Sequence, residues 1–95
     1  MYQMKTTFWL DFSIADKFGV AGVEDTFKRA FKEWKKDYIY LTELAIVTNW
    51  RCWKHYEEGN MALSELYSTL YYKTRNYALN HLKGNELKYY LETTD

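Results

Sequence analysis

The chain of 95 residues has no proline, one cysteine and four glycines, and its 13 Lys and Arg equal its 13 Asp and Glu. Each scarcity excludes something. Without proline, nothing breaks a helix from within. A lone Cys52 cannot form an internal disulfide and suits a reducing compartment, most simply the cytoplasm. A formal net charge of zero leaves the molecule as a whole no field that would draw it onto nucleic acid or an anionic membrane, so any electrostatic targeting must be local. The longest wholly apolar run in mid-chain, Leu44 to Val47, is far shorter than a bilayer span, and residues 1–20 contain no signal-like stretch. These readings predict one soluble, intracellular domain over 1–95 with no membrane partner.

Aromatic residues, by contrast, abound: four Trp, ten Tyr and five Phe. A small domain has limited interior volume, and aromatics left over once the core is filled mark a surface that meets a partner. Most of the surplus falls on helical stripes. Between Gly22 and Asp37, Val23, Phe27, Ala30, Phe31 and Trp34 recur at the spacing of one helix face, with Glu24 and Asp25 in the expected first turn and Lys35 and Lys36 in the last. A second helix is expected over 38–58. Gly59 then turns the chain and Asn60 caps a third helix running to about Lys83, before Gly84. The two long helices form an antiparallel hairpin, each arm about 30 Å long at 1.5 Å per residue.

The ends read two ways. Phe8, Leu10, Phe12 and Ile14 alternate with Thr7, Trp9, Asp11 and Ser13 as in a half-buried strand, yet Thr7 can also cap a helix with Phe8, Phe12 and Ala15 inward and Gly19 at its end. The helix is preferred, because a strand over 7–14 needs residues 88–94 or a second chain to pair with. Residues 86–92 fit a short helix through Leu87, Tyr90 and Leu91, while Tyr89, Tyr90, Thr93 and Thr94 favour a strand. The fold class expected is mainly α: a small helical bundle built on the hairpin, with an N-terminal strand as the alternative.

The central helix carries the functional signal. On a wheel of 100° per residue, Leu41, Leu44, Ala45, Thr48, Cys52 and Tyr56 form one stripe, and Ile39, Ile46, Trp50 and Trp53 gather opposite. One explanation buries both faces, the hairpin partner covering one and the N-terminal helices the other. The alternative leaves Trp50, Trp53, Ile46 and the third helix's Tyr72 as a protein-binding surface, since Trp and Tyr supply most interface hot spots. Trp9 and Tyr89 are the other aromatics without an assigned place.

Three further patterns bear on chemistry. Lys28, Arg29, Lys32, Lys35 and Lys36 form a ridge broken only by Glu33, a candidate grip for phosphates with Trp34 or Trp50 available to stack on bases. Cys52 and His55, three apart, share a helix side, but neither His81 nor a Cys-x-x-Cys motif completes a metal set, no third group orients His55, and no glycine-rich turn offers an oxyanion hole. The acidic residues are scattered, without the dense run of a DNA mimic, and no Gly-x-Gly-x-x-Gly, Walker-type or His-Glu-x-x-His pattern occurs. The expectation is a binding protein that is not an enzyme and needs no cofactor or metal.

The segments Asp11-Phe-Ser-Ile-Ala-Asp-Lys-Phe-Gly19, Asp25-Thr-Phe-Lys-Arg-Ala-Phe31, Glu33-Trp-Lys35, Tyr40-Leu-Thr-Glu-Leu44 and Thr93-Thr-Asp95 resemble small uncharacterised proteins encoded by phages and integrative elements of Firmicutes. That resemblance implies an accessory protein that inhibits a host defence complex such as a CRISPR effector, or modulates transcription. The expected partner is therefore a protein or a second copy of the chain acting through the aromatic face. The competing expectation is a nucleic-acid-binding protein using the ridge at 28–36.

Overall fold

In the computed structural model, which describes residues 7–94, the chain folds as α1 (Phe8–Ala15), a 3-10 turn (Asp16–Phe18), α2 (Gly19–Trp34), α3 (Tyr38–Glu57), α4 (Met61–His81) and α5 (Gly84–Thr94). No strand occurs among the described residues. The strand alternative for 7–14 is thereby corrected: Phe8, Phe12 and Ala15 turn inward from a helix. The physical reason lies at the other end of the chain, where residues 88–94 are helical too and leave an N-terminal strand nothing to pair with.

The hairpin has the expected hinge. Gly59 adopts φ +79°, which a β-carbon would strain, and the Asn60 side chain accepts from the Leu63 amide to cap α4. Asp37 acts in the same way at α3, its Oδ1 accepting from the amides of Ile39 (3.0 Å) and Tyr40 (3.4 Å). The residue expected to end the preceding helix therefore begins the next one. Helix α2 starts three residues earlier than Gly22, so Glu24 and Asp25 lie one turn inside it, and Lys35 and Lys36 fall just beyond its last turn. Gly22 is a packing residue: a β-carbon there would lie 2.7 Å from Phe18 Cβ and 2.9 Å from the Ala15 carbonyl oxygen.

Two apolar clusters share the hairpin. Phe8, Phe12, Val23 and Phe27 from α1 and α2 pack on Leu44, Val47, Leu63, Tyr67 and Leu70. Leu82 and Tyr90 pack from the other side on Leu41, Ala45 and Ala78, with Leu87 and Leu91 of α5 at the margin. The cover over the second side of α3 thus comes mainly from α5, with Trp9 of α1 against Trp50. Helix α5 has 11 residues and α3 has 20, about 16 Å against 30 Å, so α5 reaches only partway. Residues Leu41, Thr42, Glu43, Leu44 and Ala45 are buried all round, whereas in the second half of α3 burial is confined to the side of Val47, Thr48, Arg51 and His55.

Candidate interaction surface

Where α5 runs out, the outer face of α3 is open. Trp50 and Trp53 are 49% and 58% exposed, Ile46 is half-buried, and the three line a groove of about 460 Å³ closed at its side by Tyr71 of α4 and by Thr94. That volume lies in the range of ligand pockets, and its wall is mainly apolar. Trp9 of α1 meets Trp50 edge-on, with ring centroids 5.3 Å apart, so α1 steadies one side of the indole. The Lys54 ammonium lies 5.7 Å from the same ring, and Trp53 meets Tyr56 edge-on at 5.9 Å.

Of the four predicted contact residues, the fold brings together Ile46, Trp50 and Trp53. Tyr72 is 56% exposed but does not line the groove; its neighbour Tyr71 takes that place, and the two rings meet edge-on. Tyr89 is half-buried against Tyr38, and Trp34 packs edge-on against Tyr40, centroids 4.3 Å apart. In the basic ridge, Lys28, Arg29, Lys32 and Lys36 are exposed. Arg29 is paired with Asp25, and Lys35 is half-buried with its ammonium 5.5 Å from the Phe31 ring.

Neither a protein-family model, nor a curated protein, nor a solved structure matches the chain. Its function is therefore argued from its own groups. Among the described residues no three His, Cys, Asp or Glu side chains are arranged to hold a metal ion, and no helix is long and apolar enough to cross a membrane.

A polar cluster that the sequence does not advertise sits beneath the corner between α1 and α2. Asp16 Oδ2 accepts from Arg51 Nε (3.1 Å) and Nη2 (2.9 Å) and from His55 Nε2 (2.7 Å), while its Oδ1 accepts from the Tyr67 hydroxyl. The His55 and Tyr67 rings stack nearly parallel. Burial, then the bond to Asp16, raises the Tyr67 phenol far above its ordinary range. The expectation that no third group orients His55 is corrected: Asp16, 39 residues away, fixes its Nε2, and Nδ1 lies 3.5 Å from Glu58, too far for a hydrogen bond.

Cys52 is half-buried, and the contacts around it are with Ser64. Its Sγ is 3.7 Å from Ser64 Oγ, and that hydroxyl donates to the Cys52 carbonyl at 3.0 Å. The thiol and the imidazole, three residues apart, thus serve different neighbours. The usable sequence signal for the cluster was Arg51 and His55 one turn apart on the face that carries Val47 and Thr48, since two such donors under cover need a carboxylate.

Proposed function

We propose that the protein is a small binding protein that takes hold of a protein partner through the Ile46, Trp50 and Trp53 face of α3. The observation that carries this reading is two large indoles left about half exposed beside a preformed apolar groove, on a helix otherwise used as core. Exposed Trp side chains in a concave, mainly apolar setting are the usual anchors of an interface, and a partner's apolar side chain would displace water from the groove without reordering the fold. Lys54 and Glu57 at the rim would set orientation more than affinity. The setting suggested by the resemblance is a phage or mobile element in a bacterial cytoplasm, with a host defence complex such as a CRISPR effector as the partner. A second copy of the chain would bury the same face.

The test is the native mass of the particle purified from the cells that encode it, with copurifying chains identified, alongside Trp53→Ala and Trp50→Ala. The expected result is a heterocomplex or dimer that Trp53→Ala dissolves while the melting curve of the isolated chain hardly moves. A monomer without company, or a Trp53→Ala chain that no longer folds, refutes the proposal.

A further inference from the structure

Sharing no residue with the groove, α2 and α4 meet in a seam with a different character. Phe27 and Phe31 stack at 5.4 Å, Phe31 meets Tyr77 edge-on at 5.4 Å, and Tyr77 stacks on His81 at 4.2 Å, forming a row of four rings. The row begins buried at Phe27, is half-buried at Phe31 and Tyr77, and emerges fully at His81. Lysine ammonium groups lie over it from both helices: Lys35 at 5.5 Å from Phe31 and 5.6 Å from Tyr77, and Lys73 at 5.6 Å from Phe31 and 5.9 Å from Phe27. Lys35 itself follows the last residue of α2, Trp34.

The neutral total charge conceals a segregation. Residues 26–36 and 66–85 together hold eight of the chain's 13 Lys and Arg but one of its 13 Asp and Glu, Glu33. Not all eight face the seam, since Arg29 is paired with Asp25. The charge left over is nonetheless positive in balance, with Glu33 the one acidic group in these segments. A row of rings with cations on either flank matches what a flexible polyanion carrying flat aromatic groups requires: ammonium groups for phosphates and ring faces for bases.

We propose that the α2–α4 seam binds single-stranded nucleic acid, with Lys35 and Lys73 taking phosphates and the Tyr77–His81 stack receiving a base. A base entering over Phe31 and Tyr77 displaces the ammonium groups parked there, and each then has a phosphate within reach of its flexible stem. A duplex keeps its bases stacked inside and offers the rings nothing, so the site discriminates against it. The site is separate from the Trp50 groove, and the two readings stand or fall independently.

The experiment is fluorescence anisotropy of a labelled oligothymidylate, and of the same strand annealed to its complement, titrated with the full chain over a range of salt. Two phosphate contacts predict that log Kd changes with log salt at a slope of about 1.4, from about 0.7 per phosphate on a single strand. Lys35→Glu with Lys73→Glu should weaken binding at least tenfold and reduce the slope. His81→Ala, at the exposed end of the row, should weaken it several-fold at every salt without changing the slope, and Trp53→Ala should leave it intact. Absence of binding at low salt, equal or better binding of the duplex, indifference to the two lysine reversals, or heparin bound as well as the oligonucleotide with His81→Ala silent would each overturn the proposal.

Discussion

Replacing Asp16 by Asn tests the account of the buried cluster most directly. The substitution keeps the shape and removes the charge on which Arg51 and His55 converge, in a place where the Arg51, His55 and Asp16 side chains are 6%, 8% and 13% exposed. Arg51 cannot shed its charge, so the variant holds a guanidinium under cover without a counterion. Removing one partner of a buried pair costs about 3–5 kcal/mol. A domain of this size has roughly 5–15 kcal/mol in all, and each kcal/mol moves its melting point by about 4–8 °C. Thermal unfolding followed by far-ultraviolet circular dichroism should therefore show Tm lowered by at least about 12 °C, with urea midpoints agreeing. Because the penalty comes from the stranded cation, Arg51→Met in the Asp16→Asn background should cost less than in the native chain, with a coupling of about 2 kcal/mol. An Asp16→Asn chain melting within about 4 °C of the native one, or strict additivity in the cycle, would refute the reasoning.

Burial pushes the Tyr90 phenol up to about 12 despite its bond to Thr74, and burial with the Asp16 bond carries Tyr67 higher still. Both groups are raised above the ordinary value of 10, so the stability they lend is complete below pH 10 and drains away as pH climbs through 12. Melting points should fall over that window, and spectrophotometric titration should show two of the ten tyrosines ionising only as the fold is lost. Gly22→Ala should cost about 1–3 kcal/mol by forcing a β-carbon onto Phe18 and the Ala15 carbonyl, and calorimetry would show whether α1 and α2 shift apart so easily that it does not. Removing the cap at Asn60 by Asn60→Ala should cost about 1 kcal/mol, with equilibrium unfolding as the readout.

The hairpin was legible because its signals are local: Gly59 followed by Asn60, between two runs of helical period, needs no knowledge of the rest of the chain. The start of α2 was misplaced because glycine has two uses. Gly22 stands just before the apolar stripe, where a helix boundary would fall, while the fold spends it on a close helix approach. The exposure of Trp50 and Trp53 could not be decided from α3's own residues, since it depends on which part of α3 the other helices pack against. The pairing of His55 was missed for the same reason: its partner arrives from residue 16, and no spacing rule joins positions so far apart. Tyr72 and Tyr71 show the finest grain at which the wheel fails, because a step of one residue turns a side chain by 100° and decides which of the two meets the groove.

The Asp16 carboxylate also has a meaning in time. It joins α3 and α4 to a turn 35, 39 and 51 residues away along the chain, whereas the hairpin closes through three residues between adjacent helices. Local contacts form early and distant ones late, so α3 and α4 are expected to pair before the corner between α1 and α2 settles on them. A contact absent from the transition state leaves the folding rate alone and slows escape from the native state. Asp16 should therefore act as a clasp: losing about 3 kcal/mol there would quicken unfolding by roughly two orders of magnitude and leave the refolding arm of the chevron where it was. The lifetime of the folded molecule, and with it resistance to proteases that cut only the opened chain, rests on a side chain that lines neither proposed binding surface, although the Arg51 it holds lies 5.8 Å from the Trp50 ring.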